Sequence, residues 1–97
     1  MPRYMIVRSF DVGESDMPDV GRRSRQIVEN DLTEIVWEHS HVVVDSEGKV
    51  KTYCVYQAPS EEAVKEHSIA LGNHEVDTMY EIAGDVSPQD FPLETQP

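Results

Sequence analysis

The sequence has one cysteine, few basic residues and no long apolar run, and each shortage excludes a class of protein. The single cysteine, Cys54, rules out an internal disulfide framework and is typical of a reducing compartment, so we expect a cytoplasmic protein. Eight Lys and Arg residues stand against 19 Asp and Glu residues, which gives a formal net charge of −11. Such a polyanion repels phosphate groups, so we expect no binding to nucleic acid and none to a membrane surface.

The chain also lacks segments and motifs that would mark other classes. No apolar run approaches the roughly 18 residues of a membrane span, and residues 1–8 do not have the pattern of a signal peptide. We find no P-loop, no dinucleotide-binding fingerprint and no nucleophile elbow, so the sequence predicts no organic cofactor and favours a protein that is not an enzyme. Its 97 residues give room for one hydrophobic core.

The patterns that remain predict a β-α-β-β-α-β order. The predicted elements are a strand over 3–10, a helix from Asp16 to about Asn30, strands over 34–44 and 49–57, a helix from Ser60 to Gly72 and a strand over 76–83. His74 and Glu75 are expected in a loop before the last strand. This order is typical of the ferredoxin-like α+β fold, a four-stranded antiparallel sheet with both helices on one face.

After Gly84 the periodicity ends. We therefore predict a ferredoxin-like domain over residues 1–84 and an acidic, proline-containing tail over 85–97, with Phe91 and Leu93 as its apolar anchors. The tail is expected to be flexible or to lie over a neighbouring subunit.

Two helices can cover only one side of the sheet. The other side is expected to carry Trp37, several tyrosines and β-branched residues, and a second copy of the chain is the simplest cover. The sequence thus predicts a homodimer whose sheets face each other.

The second predicted strand carries the residues best suited to metal binding. Strand alternation places Trp37, His39 and His41 on one face, with the two imidazoles about 6–7 Å apart. Both can reach one divalent transition metal ion, or each can bind a separate ion. The alternative is that the two histidines are surface or interface residues.

The register of the following hairpin decides what lies beside them. With a two-residue loop at Ser46 and Glu47, His39 faces Cys54, which gives a cluster of two nitrogens and one sulfur. With a three-residue loop and Gly48 in the left-handed region, His41 faces Tyr53 and Cys54 lies on the opposite face. Glycine at the fourth turn position favours the second register.

Other residue types admit two interpretations each. Cys54 is either a ligand or a small buried apolar residue, and His67 is either a ligand or a hydrogen-bonded core histidine beside an apolar helix stripe. Trp37, Tyr53 and Tyr56 either line a pocket between facing sheets or fill an interface. The arginines at 22, 23 and 25 either bind an anion or pair with some of the many acids.

Two segments resemble a known family. Residues 37–42 (WEHSHV) and 51–67 (KTYCVYQAPSEEAVKEH) are similar to a family of small bacterial domains, mostly of unknown function, that includes a nickel-binding protein. Residues 1–7 and 76–82 resemble its first and last strands, so the similarity covers about residues 1 to 83.

The resemblance implies a ferredoxin-like fold, a dimeric α/β barrel and divalent-metal binding through histidines. His39, Cys54 and His67 stand at matching positions and are carried over as site candidates. His41 stands where many relatives have an aromatic residue, so it is either an added ligand or a replacement.

Together these observations predict a cytoplasmic homodimer that binds Ni²⁺ or another divalent metal through His39, His41, Cys54 and His67, with no catalytic residue. The alternative is a small-molecule-binding or enzymatic dimeric barrel, similar to monooxygenases or isomerases. In that case the pocket is lined by Trp37, Tyr53 and Tyr56, and a histidine acts as general base. A third possibility is a structural module that docks on a partner through its tail.

Overall fold

A computed structural model describes residues 1–93 of the chain. Its main elements are β1 (Arg3–Phe10), α1 (Met17–Gln26), β2 (Val36–Val44), β3 (Val50–Gln57), α2 (Glu61–Leu71) and β4 (His74–Glu81). The strands form one antiparallel sheet in the order β2-β3-β1-β4. The predicted α+β, ferredoxin-like β-α-β-β-α-β arrangement is thereby confirmed.

The helices begin where the sequence indicates. A short 3-10 turn over Glu14–Asp16 leads into α1, which has Pro18 in its first turn and continues as a π-helical turn over Ile27–Asp31. At the start of α2 the Ser60 hydroxyl accepts a hydrogen bond from the Ala63 amide at 3.3 Å, an N-cap that satisfies one free backbone donor.

Strand β4 begins two residues earlier than predicted, so the prediction that His74 and Glu75 lie in a loop is wrong. Gly72 and Asn73 both have positive φ values, 70° and 59°, and they turn the chain back within two residues. His74 then pairs directly with Phe10 of β1, and their rings lie 5.1 Å apart. The tight reversal leaves no room for the predicted loop.

Both helices pack on one face of the sheet. Alternate residues of β1 (Tyr4, Ile6 and Phe10) point into this core, where they meet Val64 and Leu71 of α2 among others. Ser24 of α1 and Tyr56 of β3 both contact His67 of α2, so strand and helices share one interior. We call the opposite face, which neither α1 nor α2 covers, the open face.

The hairpin between β2 and β3 adopts the register that Gly48 favours. Gly48 has a φ of +81°, the Asp45 amide donates to the Lys49 carbonyl at 2.9 Å, and Val44 pairs with Val50. As a result His41 faces Tyr53, and the cluster of two histidines with Cys54 that the shorter loop would give is not formed.

The left-handed backbone at Gly48 makes this turn sensitive to substitution. We expect Gly48→Ala to lower the free energy of unfolding by about 1 kcal/mol, because a Cβ meets no atom there and the cost lies in the left-handed backbone alone. Gly84→Ala, a position with equally open space and no positive φ, is the matched control and should change stability little. Urea denaturation of both variants measures the difference, and equal effects would contradict the assignment of strain to Gly48.

A β-bulge changes the face on which Trp37 lies. Trp37 pairs with Tyr56 but His39 pairs with Val55, so Glu38 is an extra residue in β2. The bulge reverses the alternation, and the prediction that Trp37 shares a face with the two histidines is wrong. Trp37 lies on the helix side, where its indole nitrogen donates to the Ser40 hydroxyl at 2.9 Å.

Residues 83–93, which follow β4, are exposed. Asp85 accepts a hydrogen bond from Arg3 at 2.7 Å, and a 3-10 turn covers Pro88–Asp90. The predicted anchors Phe91 and Leu93 are both largely exposed, and residues 94–97 lie outside the described residues. The boundary at residue 84 stays a prediction.

Within residues 1–93, every helix is too short or too polar to cross a bilayer.

Candidate metal and ligand sites

His39 and His41 lie side by side on the open face, at the exposed edge strand β2. Their ring centroids are 5.4 Å apart, with the rings nearly perpendicular, and both side chains are exposed. Their cross-strand neighbours are Val55 and Tyr53, neither of which is a usual metal ligand. The structure therefore brings this predicted pair together without a third ligand from the same hairpin.

The donor set of this pair suits a borderline divalent ion, because neutral imidazoles are good ligands for Ni²⁺, Cu²⁺ and Zn²⁺. Within the described residues no group of three or more His, Cys, Asp or Glu side chains is placed to hold a metal ion. The pair thus supplies two ligands, and the rest of a coordination shell has to come from water or from another molecule.

The acidic neighbour Glu38 is already engaged. Its carboxylate accepts hydrogen bonds from Arg3 at 2.7 and 3.0 Å and from Gln57 at 3.2 Å. The Arg3 hydrogen bonds hold the pKa of Glu38 below its ordinary value. A carboxylate held in this way is a poor third ligand for the histidine pair.

Cys54 and His67 lie on the other side of the sheet, in the core. Both contact Arg8, whose side chain is only 1% exposed. One guanidinium nitrogen, Nη1, donates to the Tyr56 hydroxyl at 3.0 Å and to the Cys54 sulfur at 3.4 Å. The other, Nη2, donates to the Ser68 hydroxyl at 3.0 Å and lies 3.3 Å from His67 Nδ1.

These contacts fix the tautomer of His67. A guanidinium only donates hydrogen bonds, so Nδ1 accepts, and Nε2 carries the proton and donates to the Ser24 hydroxyl at 3.0 Å. Burial first, and then the charge of Arg8, lower the pKa of His67 to about 4. The ring is neutral at physiological pH, and both of its nitrogens are occupied. The predicted ligands His67 and Cys54 therefore lie apart from the histidine pair and beside a cation.

A cavity of about 180 Å³ opens next to this cluster, between the sheet and α1. Arg8 lines it together with apolar and hydroxyl-bearing side chains. The apolar side of the lining includes Phe10, Met17, Val20 and Leu71, and the polar side includes Ser24, Ser40 and Thr52. Trp37 and Tyr56 line the same cavity, whereas Tyr53 lies on the open face. The three predicted pocket residues are thus divided between two faces.

Two of the three arginines of α1, Arg22 and Arg25, pair with acids, as the second interpretation predicts, whereas Arg23 contacts a backbone carbonyl. Arg22 pairs with Asp19, Arg25 donates to Glu29 at 2.9 Å, and Arg23 donates to the Ala70 carbonyl at 3.0 Å. In these exposed contacts the arginines offset local negative charge.

The model of the family described as "Nickel responsive protein SCO4226-like" matches residues 4–82, most of the chain. The chain belongs to this SCO4226-like family. A solved member, the crystal structure of SCO4226 from Streptomyces coelicolor A3(2), superposes with a TM-score of 0.64. That alignment covers 87% of this chain and 99% of the other, at 18% sequence identity, so it shows a common fold. No curated protein gives a significant match.

The family resemblance expected from residues 37–67 is therefore confirmed, and the SCO4226-like family carries a nickel-related description. What the sequence reasoning missed in this member of the family is Arg8. The signal was available: in β1, Tyr4, Ile6, Arg8 and Phe10 occupy one alternating face, so an arginine stands in line with apolar core residues.

Proposed function

We propose that this protein binds a divalent transition metal ion, with Ni²⁺ as the leading candidate, through His39 and His41. The observation that carries the proposal is the juxtaposition of two exposed imidazoles with ring centroids 5.4 Å apart. The nickel-responsive description of the family supports the choice of metal. Cys54 and His67 are not ligands in this proposal, because Arg8 repels a cation and both nitrogens of His67 are engaged.

The proposal includes a second copy of the chain. The open face carries exposed apolar side chains: Tyr53 of β3 pairs with His41, and Tyr80, which is 61% exposed, lies on β4 at the far edge of the sheet. A second copy placed on this face shields them and brings its own imidazoles to the same interface. A homodimer thus offers the further ligands that one chain lacks.

Calorimetric titration of untagged protein with nickel, cobalt and zinc chlorides tests the metal site. We expect His39→Ala and His41→Ala each to weaken nickel binding by roughly tenfold or more, since even changes outside the ligand shell cost about that much. His67→Gln is the matched control and should keep the affinity. The assignment of His39 and His41 as ligands would be overturned if neither substitution weakened nickel binding, or if only the His67 variant lost it.

Sedimentation at micromolar concentration, with and without nickel, tests the dimer. We expect a species of twice 11.0 kDa for the native chain, and a shift toward monomer for Tyr53→Ser, which makes the open face more polar. Ile69→Ser, an equally drastic change on the exposed outer side of α2, is the control. A native chain that sediments as a monomer in both conditions would contradict this part of the proposal.

A further inference from the structure

We propose that the cavity between the sheet and α1 binds a small organic monocarboxylate, with Arg8 as the group that holds its carboxylate. This site is separate from the metal site, since Arg8 lies on the helix face and the histidine pair on the open face. It also differs from a pocket between facing sheets, because it lies inside one chain.

The buried charge of Arg8 is not compensated by an acid among residues 1–93. An arginine stays protonated in proteins, and a buried cation is stable only when it is paired or fully hydrogen-bonded. Within residues 1–93, Arg8 has no carboxylate partner, and its Nε is buried without any hydrogen-bond acceptor. The four side chains that it contacts (Tyr56, Ser68, Cys54 and His67) include no acid.

His67, which is among these contacts, does not compensate the charge of Arg8. With its Nδ1 accepting from the guanidinium, His67 is neutral and adds neither a compensating nor a competing charge. The Cys54 thiol donates a hydrogen bond to the Thr52 hydroxyl at 3.3 Å. The cluster therefore presents a single positive charge, which matches the single negative charge of a carboxylate.

The size and lining of the cavity suit a small organic acid. Its volume of about 180 Å³ exceeds the roughly 150 Å³ in which an engineered apolar cavity holds benzene. Phe10, Met17, Val20 and Leu71 give it an apolar side suited to a short alkyl or aromatic body. A phosphate, with more charge and no apolar part, suits this lining less well.

The cavity can be reached from the protein surface. Val42 of the edge strand also lines the cavity and is half exposed, so the cavity reaches the surface beside β2. A ligand can enter there without unfolding the core. The apolar body then lies against α1, and the carboxylate faces Arg8, as in many pockets where a few polar groups orient an otherwise apolar ligand.

Titration of the full chain with acetate, butyrate and benzoate, each compared with its neutral amide, tests the site. Proton–nitrogen NMR spectra locate the response, and we expect shifts at residues that line the cavity. For the ligand whose apolar part fits the cavity best, the acid should bind at least about tenfold more tightly than its amide, because the acid gains a charge-assisted hydrogen bond. Equal binding of acid and amide, or no saturable binding of any acid, would overturn the proposal.

Two variants make the result specific to the cavity. Arg8→Met keeps most of the bulk and removes the charge, so it should abolish the preference for the acid, and its NMR spectrum reports whether the fold is kept. Val20→Phe keeps Arg8 but fills part of the cavity, and it should weaken binding of benzoate most. His39→Ala should leave carboxylate binding unchanged, which separates this site from the metal site.

Two further outcomes would count against the assignment. If inorganic phosphate bound more tightly than benzoate and displaced it, the ligand would be an inorganic anion and not an organic carboxylate. A thiolate absorbance at neutral pH that Arg8→Met removes would show that Cys54 itself neutralises the guanidinium, and the need for a bound anion would disappear.

Discussion

Acidification from pH 7 to pH 5 is expected to destabilise the native protein by about 2 kcal/mol through His67 alone, and His67→Gln is expected to remove this loss. The pKa of His67 is about 4 in the folded chain and 6.5 in the unfolded chain. Below pH 6.5 the unfolded chain takes up a proton that the folded chain does not. This part of the stability is therefore complete above pH 6.5 and is lost as the pH falls toward 4, at about 1.4 kcal/mol per pH unit.

Urea denaturation of both proteins at several pH values between 5 and 7 measures this effect. The slope against pH is the readout, since glutamine also changes the packing against Tyr56 and so the stability at every pH. His74→Gln is the control: burial also lowers the pKa of His74, but its ring is only partly buried, so we expect a smaller change in slope. Glu38 and Asp45 lose their contribution only below their ordinary pKa values, outside this pH range. Parallel slopes for the native protein and His67→Gln would contradict a neutral, buried His67.

The order of elements and the hairpin register could be predicted because local chemistry determines them. Gly48 can adopt the left-handed backbone that a three-residue loop needs, and that loop fixes which residues of β2 and β3 face each other. In the same way Ser60 marks the start of α2 by its side-chain hydrogen bond. These are interactions within a few residues, which a single sequence carries in full.

The position of Trp37 could not be predicted, because it depends on a bulge that no local residue type requires. Glu38 is the extra residue in β2, and its carboxylate binds Arg3 at the start of β1, which is 35 positions away in sequence. Simple alternation across this point places Trp37 on the wrong face. Contacts between distant strands therefore decided which of the predicted pocket residues share a cavity.

The candidate site was predicted in part for a related reason. The adjacency of His39 and His41 follows from strand alternation alone, whereas the separation of Cys54 and His67 from that pair follows from the register and from helix packing. For Arg8, the sequence showed its position on the strand but not its burial. Its place in an apolar alternation was visible in the sequence, but a buried arginine without an acidic partner among the described residues is rare, and only the assembled core shows it.

The stability of the arrangement around Arg8 depends on the apolar core beside it, and Ile6→Ala is expected to lower the free energy of unfolding by about 2 to 5 kcal/mol. Ile6 is 0% exposed, precedes Arg8 by two residues on the same face of β1, and pairs with Cys54 of β3. Truncation leaves a cavity that the central strand cannot close, because its neighbours on both sides are hydrogen-bonded to it.

Ile69→Ala is the matched control for this prediction, since it removes the same atoms from a side chain of α2 that is 82% exposed. We expect it to change stability by no more than about 0.5 kcal/mol. Thermal and urea denaturation of the two variants at pH 7 measure the difference. At this pH His67 is mostly neutral in both the folded and the unfolded chain, so proton binding contributes little to the comparison. Similar losses for both variants would mean that α2 buries its outer side in an assembly, and a small loss for Ile6→Ala would contradict the central position of β1 in the core.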